Sequence, residues 1–152
     1  VIESRGLGDV YKRQQLTLSQ KAPVAGAVIV TTPQDIALLD AMKGVEMFAK
    51  VDIPVLGILE NMSVHVCESC GHQSHPFGAG GGERISAELG VPLIGQLPLS
   101  MDIRLQADGG TPTVRAAPQS QASELYRDAA RHLAARLWTK EQSGPTIRMV
   151  DD

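Results

Sequence analysis

The sequence predicts an α/β fold built on a parallel β-sheet with flanking helices. Three observations lead there. Val24–Thr31 and Ile53–Glu60 are continuous apolar runs rich in β-branched residues. Strands that lack polar alternation are buried on both faces, as in parallel sheets. Between and after these runs lie segments whose apolar residues recur at helical spacing, and strand–helix alternation implies right-handed crossovers. Finally, the runs end in Thr31-Thr32-Pro33, Asn61 and Pro98. Ligands of such sheets sit beyond the carboxyl ends of the strands, so these residues should line one rim.

In chain order, Gln15 to Lys21 has the pattern of a helix end, with Leu16 and Leu18 apolar and Pro23 closing it. The first strand is Val24–Thr31. A helix should follow, with Thr32 as N-cap, Pro33 at its first position and Asp35 in its first turn. Ile36, Leu39, Met42, Val45, Met47 and Phe48 supply an apolar stripe through about Lys50. Ile53–Glu60 is the second strand. A polar loop then runs to the glycine cluster Gly78–Gly82. A short helix is expected over Glu83–Leu89, ended by Gly90. Val91–Leu97 is a third strand, Asp102–Ala107 another short helix, and Ser120–Trp138 a long one. Leu125, Ala129, Leu133 and Leu137 repeat down one side of that last helix. Thr139–Asp152 has no periodicity and is expected to be a mobile tail.

At 152 residues the chain suits one domain. Apolar residues make up 43% and aromatics only 3%, so the core must be aliphatic. A net charge of −3 gives no electrostatic reason to expect nucleic acid. No apolar run approaches the roughly 18 residues of a membrane span, and no signal-peptide pattern is present. The only two cysteines lie close together, which suits a cytoplasmic metal or redox site better than a disulfide framework.

Ser4–Gln14 reads as the translation of a transposon-end adapter used in sequencing libraries. Residues 1–14 are therefore set aside as a scar. The native sequence is expected to begin near Gln15, within a longer gene.

The chemistry concentrates in Glu60–His72, which places the two cysteines as Cys67-x-x-Cys70. Thiolates are soft ligands for iron, zinc or copper, and two cannot close a site that wants four. A second copy of the chain could complete a shared site. A mononuclear zinc site could recruit His65, His72 or His75. A redox pair would normally sit at a helix N-terminus, and no helix pattern begins here. The glycine cluster precedes a helix, which could suggest phosphate binding. It lacks the Lys-Ser/Thr of a Walker A loop, and a flexible connector is the favoured reading. Asn61 offers a donor and an acceptor that would suit an adenine edge, although Asn at a strand end is more often a turn residue. His132 on the last helix is expected to be a surface or packing residue.

Taken together, Gln15-Leu16-Thr17-Leu18-Ser19-Gln20, Gly26–Asp35, Gly57–Ser63, Cys67-x-x-Cys70-Gly71, Phe77-Gly78-x-Gly80-Gly81-Gly82 and Gly95–Leu99 resemble the Mrp/ApbC-type iron–sulfur cluster carriers. These belong to the MinD/ParA-like group of P-loop ATPases. The resemblance covers about residues 15–115, and it implies that residues 15–138 are the C-terminal portion of such an ATPase domain. It further implies a cytoplasmic homodimer holding a [4Fe–4S] cluster between subunits, with Cys67 and Cys70 as ligands from each copy. The cluster would pass to apo iron–sulfur client proteins. Asn61 would match the adenine-contacting Asn, and Pro98, Leu99 and Asp102 the facing wall of the base pocket. The family's Walker A loop is absent from this sequence, so ATP and Mg²⁺ binding and hydrolysis are expected of the longer parent and not of this chain alone. Missing sheet strands should leave apolar edges uncovered and solubility poor. A zinc-binding module using Cys67, Cys70 and a loop histidine is the alternative from another class, and a MinD-type partition ATPase a further one.

Overall fold

A computed structural model describes residues 23–141, together with Thr17 and Lys21, with side chains through Thr139. The adapter-like residues 1–14 lie outside the described residues. So does most of the helix expected over Gln15–Lys21, of which Thr17 and Lys21 are helical.

Three strands form one parallel sheet: β1 (Ala27–Thr31), β2 (Val55–Glu60) and β5 (Leu93–Gln96), in the order β1-β2-β5. The apolar runs thus became strands as expected, each shorter by a few residues. The register sets Thr31 beside Glu60 and Glu60 beside Gln96. These three residues therefore stand in one row at the carboxyl rim and on one face.

Helix α1 (Asp35–Ala49) and helix α2 (Gly81–Leu89) cover that face. Ile29, Leu38, Ala41, Ile58 and Ile85 form the buried core there, with Met42, Val45, Phe48 and Leu89 packed around them. Helix α5 (Gln121–Glu141) covers the opposite face. A Cβ built on Gly95 would lie 3.1 Å from both Ala129 Cβ and Leu59 Cδ1, which shows how closely α5 approaches. His132 Nδ1 meets the Ile94 carbonyl at 2.9 Å, a packing role for that residue. Ser120 Oγ accepts the Ser123 N–H at 3.2 Å and so caps α5. This helix continues to Glu141, past the expected start of the tail; the rest of that segment lies outside the described residues.

Several expectations shift. Helix α1 begins at Asp35 with Gln34 as N-cap, while Thr32 Oγ1 donates to Gln34 Oε1 at 3.3 Å instead of capping. Pro33 lies ahead of the helix, buried against the start of α2. The inward stripe of α1 is Leu38, Ala41, Met42, Val45 and Phe48, whereas Ile36 is 70% and Leu39 51% exposed. Helix α3 (Met101–Asp108) extends the predicted Asp102–Ala107 by one residue at each end. A four-residue helix α4 (Thr113–Ala116) was not expected. Neither was a small antiparallel hairpin, β3 (His65–Val66) with β4 (Gln73–Ser74).

The glycine cluster is not a flexible connector. Gly81 and Gly82 are buried residues of the first turn of α2. A Cβ on Gly81 would lie 2.9 Å from the Pro33 carbonyl oxygen, 3.0 Å from Pro33 Cα and 2.8 Å from Leu38 Cδ1. Alanine normally gains up to about 1 kcal/mol over glycine inside a helix. Here the backbone of Pro33 cannot step aside, so Gly81→Ala should instead cost about 1–3 kcal/mol. A thermal melt followed by circular dichroism should show Tm falling by several degrees. A melt at or above the wild-type Tm would contradict this packing.

Candidate metal centre

The cysteine loop leaves β2 at Glu60 and returns at α2. Asn61 N donates to the Thr31 carbonyl at 2.7 Å, and Leu97 N to the Glu60 carbonyl at 2.8 Å. The expected rim residues Thr31, Asn61 and Leu97-Pro98 are therefore neighbours. The Asn61 side-chain oxygen accepts the Met62 N–H at 2.9 Å, and Met62 takes a left-handed φ of 57°. This is the turn role of Asn. Ser63 donates twice to the Leu97 carbonyl, from N and Oγ, each at 3.0 Å. Leu99 N reaches the Val64 carbonyl at 2.8 Å. His75 Nδ1 meets the Ser63 carbonyl at 2.7 Å. The loop is thus fastened to the rim over Leu97–Leu99.

Beyond that attachment, the β3–β4 hairpin carries the cysteines. Its ladder pairs His65 with Ser74 and Val66 with Gln73, and Cys67 N extends it by donating to the His72 carbonyl at 2.9 Å. Gly71 N then donates to the Cys67 carbonyl at 2.8 Å. Gly71 has φ 72°, a left-handed conformation in which a side chain would be strained. The Cys-x-x-Cys-Gly run is thereby folded into a tight knuckle at the hairpin tip. Both thiols are free, Cys67 half-buried and Cys70 exposed.

The knuckle favours the thiolate of Cys67. The backbone N–H of Cys70 and then that of Ser69 favour its thiolate, and the Cys70 thiol adds to this. Together they outweigh slight desolvation and the charge of Glu68, so the Cys67 pKa is lowered. Thiolates, not thiols, bind metal. In the metal-free chain, the pH midpoint for iodoacetamide alkylation of Cys67 should fall below the roughly 8.5 of an ordinary cysteine. Most of the lowering should survive in Cys70→Ser, because the two backbone donors remain. An ordinary midpoint in both proteins would contradict the knuckle geometry.

No histidine joins the pair. Among the described residues, no group of three or more His, Cys, Asp and Glu side chains is placed to hold a metal ion. His65 and His72 are exposed and His75 is bonded to Ser63. The zinc site with a loop histidine is therefore not assembled within one chain.

Sequence reasoning missed Glu60. It is 1% exposed, an acid buried at the end of an apolar strand. Oε2 accepts the Gly82 N–H, and Oε1 accepts Gln96 Nε2 at 3.0 Å. A carboxylate thus occupies the N-terminus of α2, where helix dipole and free N–H groups favour negative charge. This fills the place a phosphate would take, so the glycine cluster is not a phosphate cradle. The available signal was an acid closing an otherwise apolar strand.

A groove of about 710 Å³ runs beside the outer edge of β1, lined by Val28, Val30, Thr31, Met47, Phe48 and Asn61 among others. Pro98, Leu99 and Asp102 do not line it, and Asp102 is exposed in the first turn of α3. The groove is the space next to a strand edge that no described strand covers, and neither cysteine lines it.

The family model described as NUBPL iron-transfer P-loop NTPase, of the ParA group, matches residues 6–134. An iron–sulfur cluster carrier protein of Pseudomonas fragi is 59% identical over 125 residues, 82% of this chain and 42% of its own length. One from Escherichia coli K12 is 53% identical over 133 residues, 88% of this chain and 35% of its own. The mouse iron–sulfur cluster transfer protein NUBPL is 47% identical over 132 residues, 87% of this chain and 40% of its own. The chain thus spans about two fifths of these relatives. Among solved structures, a nucleotide-binding protein from Archaeoglobus fulgidus in complex with ADP is 34% identical with a TM-score of 0.55, over 62% of this chain and 39% of that one. The Pyrococcus furiosus cell-division ATPase MinD is 23% identical with a TM-score of 0.58, over 73% of this chain and 43% of that one, a likeness of fold.

Proposed function

Because this chain belongs to the NUBPL-type iron-transfer P-loop NTPases, we propose that it holds one half of an iron–sulfur cluster and passes that cluster to apo-proteins. The cluster is cargo, and Cys67 and Cys70 are its ligands from this chain. The observation that carries the reading is the knuckle, which presents two thiols, one of them favoured as thiolate, with no third ligand grouped with them among the described residues. A cubane cluster takes four thiolates. A second copy related by twofold symmetry supplies the other pair, giving a homodimer that bridges a [4Fe–4S] cluster. The relatives' names, cluster carrier and cluster transfer protein, support the same reading.

Nucleotide chemistry is proposed for the longer protein. Asn61 would contact adenine, with Pro98, Leu99 and Asp102 as the facing wall. ATP and Mg²⁺ would be held by a Walker A loop that this sequence does not contain. Phosphoryl transfer depends on that cradle, so this chain alone should hydrolyse no ATP. The proposed work is cytoplasmic and needs neither nucleic acid nor membrane. Separately, no described helix is long and apolar enough to cross a membrane.

Anaerobic reconstitution with iron and sulfide tests the reading. Loaded protein should elute at the mass of two chains, with iron and sulfide in the ratio of one [4Fe–4S] cluster per pair. Stoichiometric zinc retained in an iron-free monomer would refute it and favour the zinc module. A partition ATPase of the MinD type needs no such cysteines, and would keep full function when both are replaced.

A further inference from the structure

The cysteine loop begins at Asn61, directly after Glu60, and ends at Gly80, two residues before Gly82. The Glu60 carboxylate accepts the Gly82 N–H, so one side chain joins the two stems of the loop at its base. The other oxygen holds Gln96 at 3.0 Å, and Gln96 adjoins Leu97, whose carbonyl takes both bonds from Ser63. The bond is buried, since Glu60 is 1% exposed and water does not compete for it.

Helix capping alone does not account for this arrangement. A helix start is ordinarily capped from within by a Ser, Thr, Asp or Asn side chain. At α2 the N-cap is Gly80, which makes no side-chain cap bond. The cap comes instead from the strand on the far side of the loop. Space is made for it as well: a Cβ on Gly82 would lie 2.9 Å from Glu60 Oε2. The local cap is given up and a side chain is removed, and what results is a bond across the loop base.

We propose that Glu60 is the positioning residue of the cysteine loop. By closing the loop base and fastening it to β5, it fixes the height and direction at which Cys67 and Cys70 stand above the sheet. Two copies must present their thiolates at matching positions to share one cluster, so a loose base would weaken the shared site. That consequence rests on the function proposed above; the closure of the loop does not.

The test uses the whole chain and the variants Glu60→Gln and Glu60→Leu. Glutamine keeps an acceptor for Gly82 but loses the charge, and leucine loses both. In the metal-free protein, amide exchange at Asn61, Ser63, Cys67, Gly71 and Gly78 should quicken about tenfold in Glu60→Gln, the scale of one weakened charge-assisted bond, and further in Glu60→Leu. Exchange in β1 and α5 should not change. If leucine prevents folding, the glutamine variant decides. Unchanged loop exchange, or an equal rise across the whole sheet, overturns the proposal. With cluster loaded, loss to a chelator should also quicken about tenfold in Glu60→Gln, following the same bond. Faster loop exchange with an unaltered cluster lifetime would overturn the positioning of the thiolates. A wild-type chain that takes up no cluster, with the exchange result intact, would count against the proposed function and leave the loop closure standing.

Discussion

Cys67→Ser, and separately Cys70→Ser, is expected to reduce cluster retention to background. The broad visible sulfide-to-iron absorbance should disappear along with bound iron and sulfide. The effect is expected to be large because the proposed site is shared. Each substitution is present in both copies, so it removes two of four thiolates at once. Folding should be unaffected, since Cys67 is half-buried, Cys70 exposed, and neither belongs to the core. Mixing experiments sharpen the result. When wild-type and Cys67→Ser chains are combined equally and allowed to exchange, a shared site requires two wild-type copies. Retained cluster should then fall to about a quarter of the wild-type value, whereas a site within one chain would keep about half. A linear dependence on the wild-type fraction would remove the case for a bridging cluster.

Ile58→Ala should be among the most damaging core substitutions. Ile58 is 0% exposed and lies in the central strand, within the cluster of Ile29, Leu38, Ala41 and Ile85. Truncation of such a residue leaves a cavity and costs about 2–5 kcal/mol. Small domains have only about 5–15 kcal/mol in total, so this loss is a large share of the stability. Urea unfolding followed by far-UV circular dichroism should give a lower midpoint with an unchanged slope. Ile58→Val should lose only about 1 kcal/mol. Ile36→Ala makes the contrast, because that residue is 70% exposed and its loss should stay within about 0.5 kcal/mol. Equal losses at Ile36 and Ile58 would mean that α1 packs through a different face.

The sheet was legible because its central strand β2 is covered on both sides and β1, although its Val30 is 61% exposed, has an equally apolar sequence. Burial on two faces writes an unbroken apolar run, and Ala27–Thr31 and Val55–Glu60 carry that signal plainly. Helix α1 was legible as a helix but not in its facing. Ile36 and Leu39 fit an apolar stripe as well as Leu38 and Ala41 do, and only the position of the sheet decides between them. The hairpin was invisible because two-residue strands, His65–Val66 and Gln73–Ser74, are too short and too exposed to show alternation. Helix α4 has four residues, less than periodicity can register. At the site, the cysteine pair could be read directly from spacing, whereas spacing left His65, His72 and His75 open as further ligands. The closing of the loop could not be read. A carboxylate at Glu60 and an amide at Gly82 are far apart in sequence, and nothing local announces their bond. The glycines misled for the same reason, since tight packing and flexibility both call for the absence of a side chain.

The hairpin makes no backbone pairing with the β1-β2-β5 sheet, and its tip is held by its own ladder. Its distance from the sheet is set by the stems on either side of it, whose length is a variable of chain design. Once a loop is closed, doubling its length costs only about 0.6 kcal/mol of chain entropy. Residues inserted between Gly71 and the second hairpin strand would break the knuckle. Residues inserted between Ser74 and Gly80 would change only the reach of the arm, provided the His75 contact to Ser63 is kept. The same carboxylate–glycine pair at the end of another parallel strand could in principle accept this arm as a graft, carrying a half-site for a cluster onto a sheet that never had one.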